Sequence, residues 1–77
     1  MSRDQNSSID PFIQLLRRER LAQKLSFYSL ADKSGYAYQA LMSWEHGRRS
    51  PRFRCFIDWA NALGYDVTLT KRQDENH

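Results

Sequence analysis

Three glycines, Gly35, Gly47 and Gly64, each close a stretch of helical periodicity, and that punctuation limits the chain to short helices joined by tight turns. Before Gly35, Leu30 and Ala31 with Phe27 form an apolar stripe that Ser26 is placed to cap. Before Gly47, Ala37, Leu41 and Trp44 recur at helical spacing, from about Ala37 to His46, while Tyr38, Gln39, Met42 and Ser43 point the other way. Before Gly64, Phe53, Phe56, Ile57, Ala60 and Leu63 make the buried stripe of a last helix, and Ser50 and Pro51 supply its cap-then-proline start. Upstream of all three, Asp10 followed by Pro11 opens a first helix, expected over about Pro11 to Lys24, with Phe12, Ile13, Leu15, Leu16 and Leu21 as its apolar face. The expected fold class is therefore all-α, four short helices around one core.

Only Tyr65 to Thr70 departs from this rhythm, alternating in the two-residue period of a half-buried strand. A lone strand leaves a row of unpaired backbone donors and acceptors, which a two-fold homodimer satisfies by pairing the segment with its own copy. Tyr65, Val67 and Leu69 are then the dimerisation residues, unless the segment packs as an extended tail against the last helix. The expected organisation is a polar tail over 1–9, a helical domain over 10–64, a dimerisation strand over 65–71 and a second tail over 72–77.

At 77 residues the chain is near the lower limit for a single unaided core, which also makes a partner subunit an expected help. Two tryptophans, four tyrosines and four phenylalanines supply bulk for that core. Cys55 is the only cysteine and His46 and His77 the only histidines, so no disulfide and no structural metal site is expected, and no cofactor. Cys55 has arginine and phenylalanine beside it and reads as structural. No paired carboxylates, phosphate loop or nucleophile with a base suggests an enzyme. No apolar run approaches the ~18 residues of a membrane span, and the polar start argues against export, so the cytoplasm is the expected location. The net charge of +3 is modest, but Arg48, Arg49, Arg52 and Arg54 cluster without an acidic residue, as a polyanion-binding loop would.

Two helices joined by a tight glycine-containing turn, the second with an exposed hydrogen-bonding face, can lay one helix in the DNA major groove. The run Leu25, Ser26, Leu30, Ala31, Gly35, Leu41, Trp44, Glu45, Gly47, Pro51, Ala60, Ala62, Leu63, Gly64 resembles the helix-turn-helix family of lambda-type repressors and Cro proteins. The resemblance implies a lambda-repressor-like bundle and a sequence-specific regulator of transcription that binds double-stranded DNA, as a repressor on a palindromic operator. It also implies a buried ion pair between Arg20 and Glu45 that clamps the first helix to the third. Small proteins of this kind resemble controllers carried by phages and mobile elements.

The resemblance places Tyr38, Gln39 and Ser43 on the groove-facing side of the third helix, with Ala40 and Met42 near enough for apolar contact. A glutamine amide matches the N6 and N7 edge of adenine, hydroxyls adapt to several bases, and Ala or Met suits a thymine methyl. His46, Arg48, Arg49 and Arg52 would then face phosphates, with Arg54 turned away. Three positions depart from the family pattern, among them Trp44, which stands where relatives usually carry a smaller aliphatic. Phe27 stands where relatives carry a glutamine that touches the DNA backbone, and Ala37 where they carry a serine or threonine cap, which leaves the start of the reading helix open by one position. Trp44 and Trp59 are expected in the core. The competing reading is an antitoxin or antiactivator whose partner is a protein, a toxin or an activator, rather than DNA.

Overall fold

A computed structural model describes residues 9–72. Four helices follow one another: α1 (Pro11–Ala22), α2 (Phe27–Ser34), α3 (Tyr38–Glu45) and α4 (Phe53–Ala62). α2 packs on both α3 and α4, and α1 packs on α3. The architecture is the expected all-α bundle. The tails expected over 1–9 and 72–77 lie outside the described residues except for Ile9 and Arg72.

The core is built from one short stripe per helix: Ile13 and Leu16, then Leu30, then Leu41 and Trp44, then Trp59 and Ala60 with Leu63 just beyond. Trp59 is fully buried, lies tilted against Trp44 at 5.8 Å between ring centroids and meets Phe56 edge-on at 6.3 Å. Its Nε1 has no hydrogen-bond partner among the described residues. Both tryptophans are core residues, as expected from their spacing.

Helix starts follow the sequence at two of four sites. The Asp10 carboxylate accepts from the Phe12 N–H at 2.7 Å with Pro11 in the first helical position, and the Ser26 hydroxyl accepts from the Ser29 N–H at 3.0 Å. α3 begins after Ala37, whose backbone is extended and whose side chain caps nothing. The cap expected at Ser50 is corrected: α4 begins at Phe53 after an extended Arg52. Arg49 still donates its backbone N–H to the Ser43 carbonyl at 3.4 Å, so residues 50–52 must remain extended to reach α4.

The expected apolar faces were also too wide. Phe12, Leu15 and Leu21 on α1 and Phe53 on α4 are exposed, because two turns of each stripe already fill so small a core. α1 stops two residues early, at Ala22, and Lys24 takes the left-handed conformation at φ 57°. There Leu25 N–H donates to Arg20 O and Lys24 N–H to Leu21 O, both at 3.0 Å, which closes the helix without a glycine.

After Gly64 the chain carries no helix, turn or strand through Arg72. Tyr65 and Val67 pack against the core, while Leu69 stands 93% exposed. The Tyr65 hydroxyl donates to the Glu19 carboxylate at 3.0 Å, and the Gln23 amide donates to Leu63 O at 2.9 Å, tying the start of this segment to α1.

Candidate nucleic-acid interface

α3 is fixed from beneath. Leu41 and Trp44 are buried on the core, and Glu45 is 1% exposed although it is a carboxylate. Its charge is met by Arg20, whose Nε and Nη2 donate to the two carboxylate oxygens at 2.8 and 2.9 Å, a two-point contact that fixes direction as well as distance. Arg20 Nη1 donates to the Leu25 carbonyl at 2.8 Å, and the guanidinium carbon lies 4.1 Å from the centre of the Phe27 ring. The more exposed Arg17 approaches Glu45 at 3.7 Å from the solvent side. The end of α1 therefore holds the end of α3 through a guanidinium each of whose three nitrogens donates a hydrogen bond.

Phe27 packs against the core as its place in the stripe of α2 implies, and also makes a contact the stripe does not announce. It roofs the guanidinium on one side and meets the His46 ring edge-on at 6.2 Å on the other.

On its other side α3 presents Gln39, exposed, with Tyr38, Ala40, Met42 and Ser43 half-buried around it. Tyr38 lies against Tyr28 of α2 with ring centroids 4.5 Å apart. Tyr28 is 67% exposed, and hydrogen bonding toward the Tyr38 hydroxyl pushes its phenol above the ordinary value. Tyr28 was not among the expected site residues. The signal available was a large aromatic on the side of α2 opposite Leu30, where a solvated face has no need of one.

The basic loop leaves α3 in a fixed direction. Gly47, at φ 77°, donates to Trp44 O at 3.2 Å and Arg48 N–H to Ser43 O at 2.9 Å, the double closure of a left-handed helix end. His46, Arg48, Arg49 and Arg52 are all exposed, and Arg49 and Arg52 flank a shallow hollow of about 450 Å³ that also touches Trp44 and Cys55. Arg54 is exposed on the first turn of α4. Among the described residues no group of histidine, cysteine or carboxylate side chains has the arrangement of a metal site.

A short helix clamped at one end, open on one side and followed by an exposed arginine loop suits docking in a major groove. Residues 16–69 match the family model described as helix-turn-helix. No curated protein and no solved structure matches the chain significantly. The matched segment spans more than half of the chain and contains the clamp, α3 and the arginine loop, and the chain belongs to the lambda repressor-like helix-turn-helix family of DNA-binding regulators.

Proposed function

We propose that this regulator is a repressor that reads a palindromic operator in double-stranded DNA as a homodimer, with α3 in the major groove. The observation that carries the reading is the contrast between the two sides of α3, one locked by Arg20 and Glu45 and the other open at Gln39. Tyr38, Gln39 and Ser43 read bases, with Ala40 and Met42 as apolar contacts. Gln39 is suited to adenine, and each good contact discriminates by about 1 to 3 kcal/mol. His46, Arg48, Arg49 and Arg52 bind phosphates and supply the salt-sensitive share of affinity. In the two-fold arrangement the half-sites lie about one helical turn, or a multiple of it, apart.

Fluorescence anisotropy on DNA from upstream of the protein's own gene, over a salt series and with unrelated duplex as competitor, tests this. The expected result is preference for the upstream fragment at near-physiological salt, through a site with two-fold symmetry. Equal affinity for both fragments would overturn the specific-repressor reading, and a toxin or activator that co-purifies with a protein lacking any DNA preference would replace it.

A further inference from the structure

The four tyrosines divide into two kinds. Tyr36 and Tyr65 give their hydroxyl protons to carboxylates within the chain, Asp58 at 2.6 Å and Glu19 at 3.0 Å. Tyr28 and Tyr38 lie against each other instead, with ring centroids 4.5 Å apart and ring planes at 45°. Each stands in the first turn of its helix, Tyr28 second in α2 and Tyr38 first in α3. Tyr28 is 67% exposed, so the pair sits on the open side of the motif and is not a part of the core. We infer that Tyr28 is a positioning residue for base reading: it occupies the acceptor side of the Tyr38 hydroxyl, so that Tyr38 meets the major groove as a donor and selects thymine or guanine against cytosine.

A free phenol hydroxyl is ambiguous toward a base, because it can donate its proton or accept another. Two features of the pair remove that ambiguity. Rings tilted at this separation attract one another, which holds the Tyr38 ring in one direction. Hydrogen bonding to Tyr38 is also the main cause that raises the Tyr28 phenol above its ordinary value, as it would for the donor of the pair, whose ionisation breaks the bond. Tyr38 then accepts from Tyr28 and keeps its own proton for a group outside the chain. The first residues of a helix in the major groove are the ones that reach base edges, while the helix before it crosses the backbone. There thymine presents O4, and guanine O6 and N7, all acceptors, whereas cytosine presents only its N4 amino group, a donor. A hydroxyl committed to donation bonds the first two and opposes the third.

The inference rests on base reading by α3, as proposed above, and its test separates the two. Preferred sites are selected from a random duplex library with the parent chain, Tyr28→Phe and Tyr38→Phe, and each selected position is then varied through all four bases in anisotropy titrations. The parent is expected to disfavour cytosine by about tenfold or more at one position where it selects thymine or guanine. Tyr28→Phe keeps the ring and removes only the hydroxyl. It is expected to cut that discrimination to about twofold or less, at the same position as Tyr38→Phe, with the other positions and the helical circular dichroism spectrum unchanged. If Tyr28→Phe leaves every preference intact, or weakens all duplexes alike as loss of a phosphate contact would, the inference fails and the regulator stands. If the parent selects no sequence at all, the regulator reading fails and the inference falls with it. Carbon-13 NMR of the tyrosine rings gives a reading without DNA: the Tyr28 phenol is expected to titrate at lower pH in Tyr38→Phe than in the parent, and an unchanged titration would overturn the hydroxyl contact and the inference built on it.

Discussion

At the scale of single residues, Arg20 and Glu45 carry the largest individual stake in stability. Glu45→Ala leaves a guanidinium at 9% exposure facing only a carbonyl and a ring, and breaking a buried pair in this way costs about 3 to 5 kcal/mol. Urea denaturation should show that loss, and should show most of it recovered when Arg20→Met is combined with Glu45→Leu, since two apolar groups leave no charge stranded. A loss for Glu45→Ala within the ~0.5 kcal/mol of ordinary surface changes would contradict the shielded geometry. The pair was legible only through family resemblance, because its partners are far apart in sequence and nothing local marks them. Phe27 was legible as part of the apolar stripe of α2, against the core, but not its cover over Arg20, since a ring over a guanidinium exists only once α1 and α2 are packed. Tyr36 gives the pH prediction. Its hydroxyl donates to Asp58 at 2.6 Å, and this bond, with Cys55 nearby and partial burial, raises the phenol above its ordinary value of 10.0. The folded chain then holds that proton more tightly than the unfolded chain does. The resulting stability is fully present below about pH 10 and is lost as pH rises above it. Tyr65, raised first by its bond to Glu19, acts in the same direction. Urea titrations of the parent chain and of Tyr36→Phe should therefore differ most near neutral pH and converge as the solution is made more alkaline.

At the scale of elements, helix ends decide how far the sequence could be read. Gly35, Gly47 and Gly64 all adopt positive φ, and each was visible as a stop because few other residues tolerate that region. Lys24 does the same work at the end of α1 without the residue type that announces it, so the helix was read two residues too long. A lysine in that conformation is strained by about 1 kcal/mol or more relative to glycine, and Lys24→Gly should raise the unfolding free energy by about 1 kcal/mol. Ala37 offers the complementary case. Its φ of −65° and ψ of 145° already suit a cap, so Ala37→Ser should also add about 1 kcal/mol in thermal or urea unfolding without moving α3. No gain from Ala37→Ser would mean that the first N–H groups of α3 are satisfied by other means. α4 was misread at its start because Ser50 and Pro51 satisfy a local rule. The loop they sit in is still tied to Ser43 and must be used for reach.

At the scale of the whole molecule, a row of aromatic contacts crosses the core. Tyr36 meets Trp44 at 5.6 Å, Trp44 meets Trp59, Trp59 meets Phe56, and Phe56 meets Phe12 at 6.5 Å, from the turn before α3 to the exposed start of α1. Periodicity identified these residues as core candidates but not where the row leaves the core. Phe12 and Phe53 obey the same spacing as Ile13 and Phe56, and only the size of the assembled core excludes them. The side proposed to read DNA rests on residue types that the sequence itself displays, in α3 and the arginine loop. What the sequence did not divide is specificity from general attraction to DNA, and that division is open to measurement. Arg48→Ala, Arg49→Ala and Arg52→Ala each remove an exposed positive charge next to α3. On the proposed docking each should weaken binding to operator and unrelated duplex alike, and lower the slope of log affinity against log salt by about 1. Gln39→Ala removes no charge, so it should leave that slope unchanged and cost about 1 to 3 kcal/mol on the operator alone. If Gln39→Ala instead weakened both duplexes equally, the amide would be holding phosphate and base reading would rest on Tyr38 and Ser43. If the arginine variants lost operator binding with no change in slope, the loop would not be facing the DNA backbone.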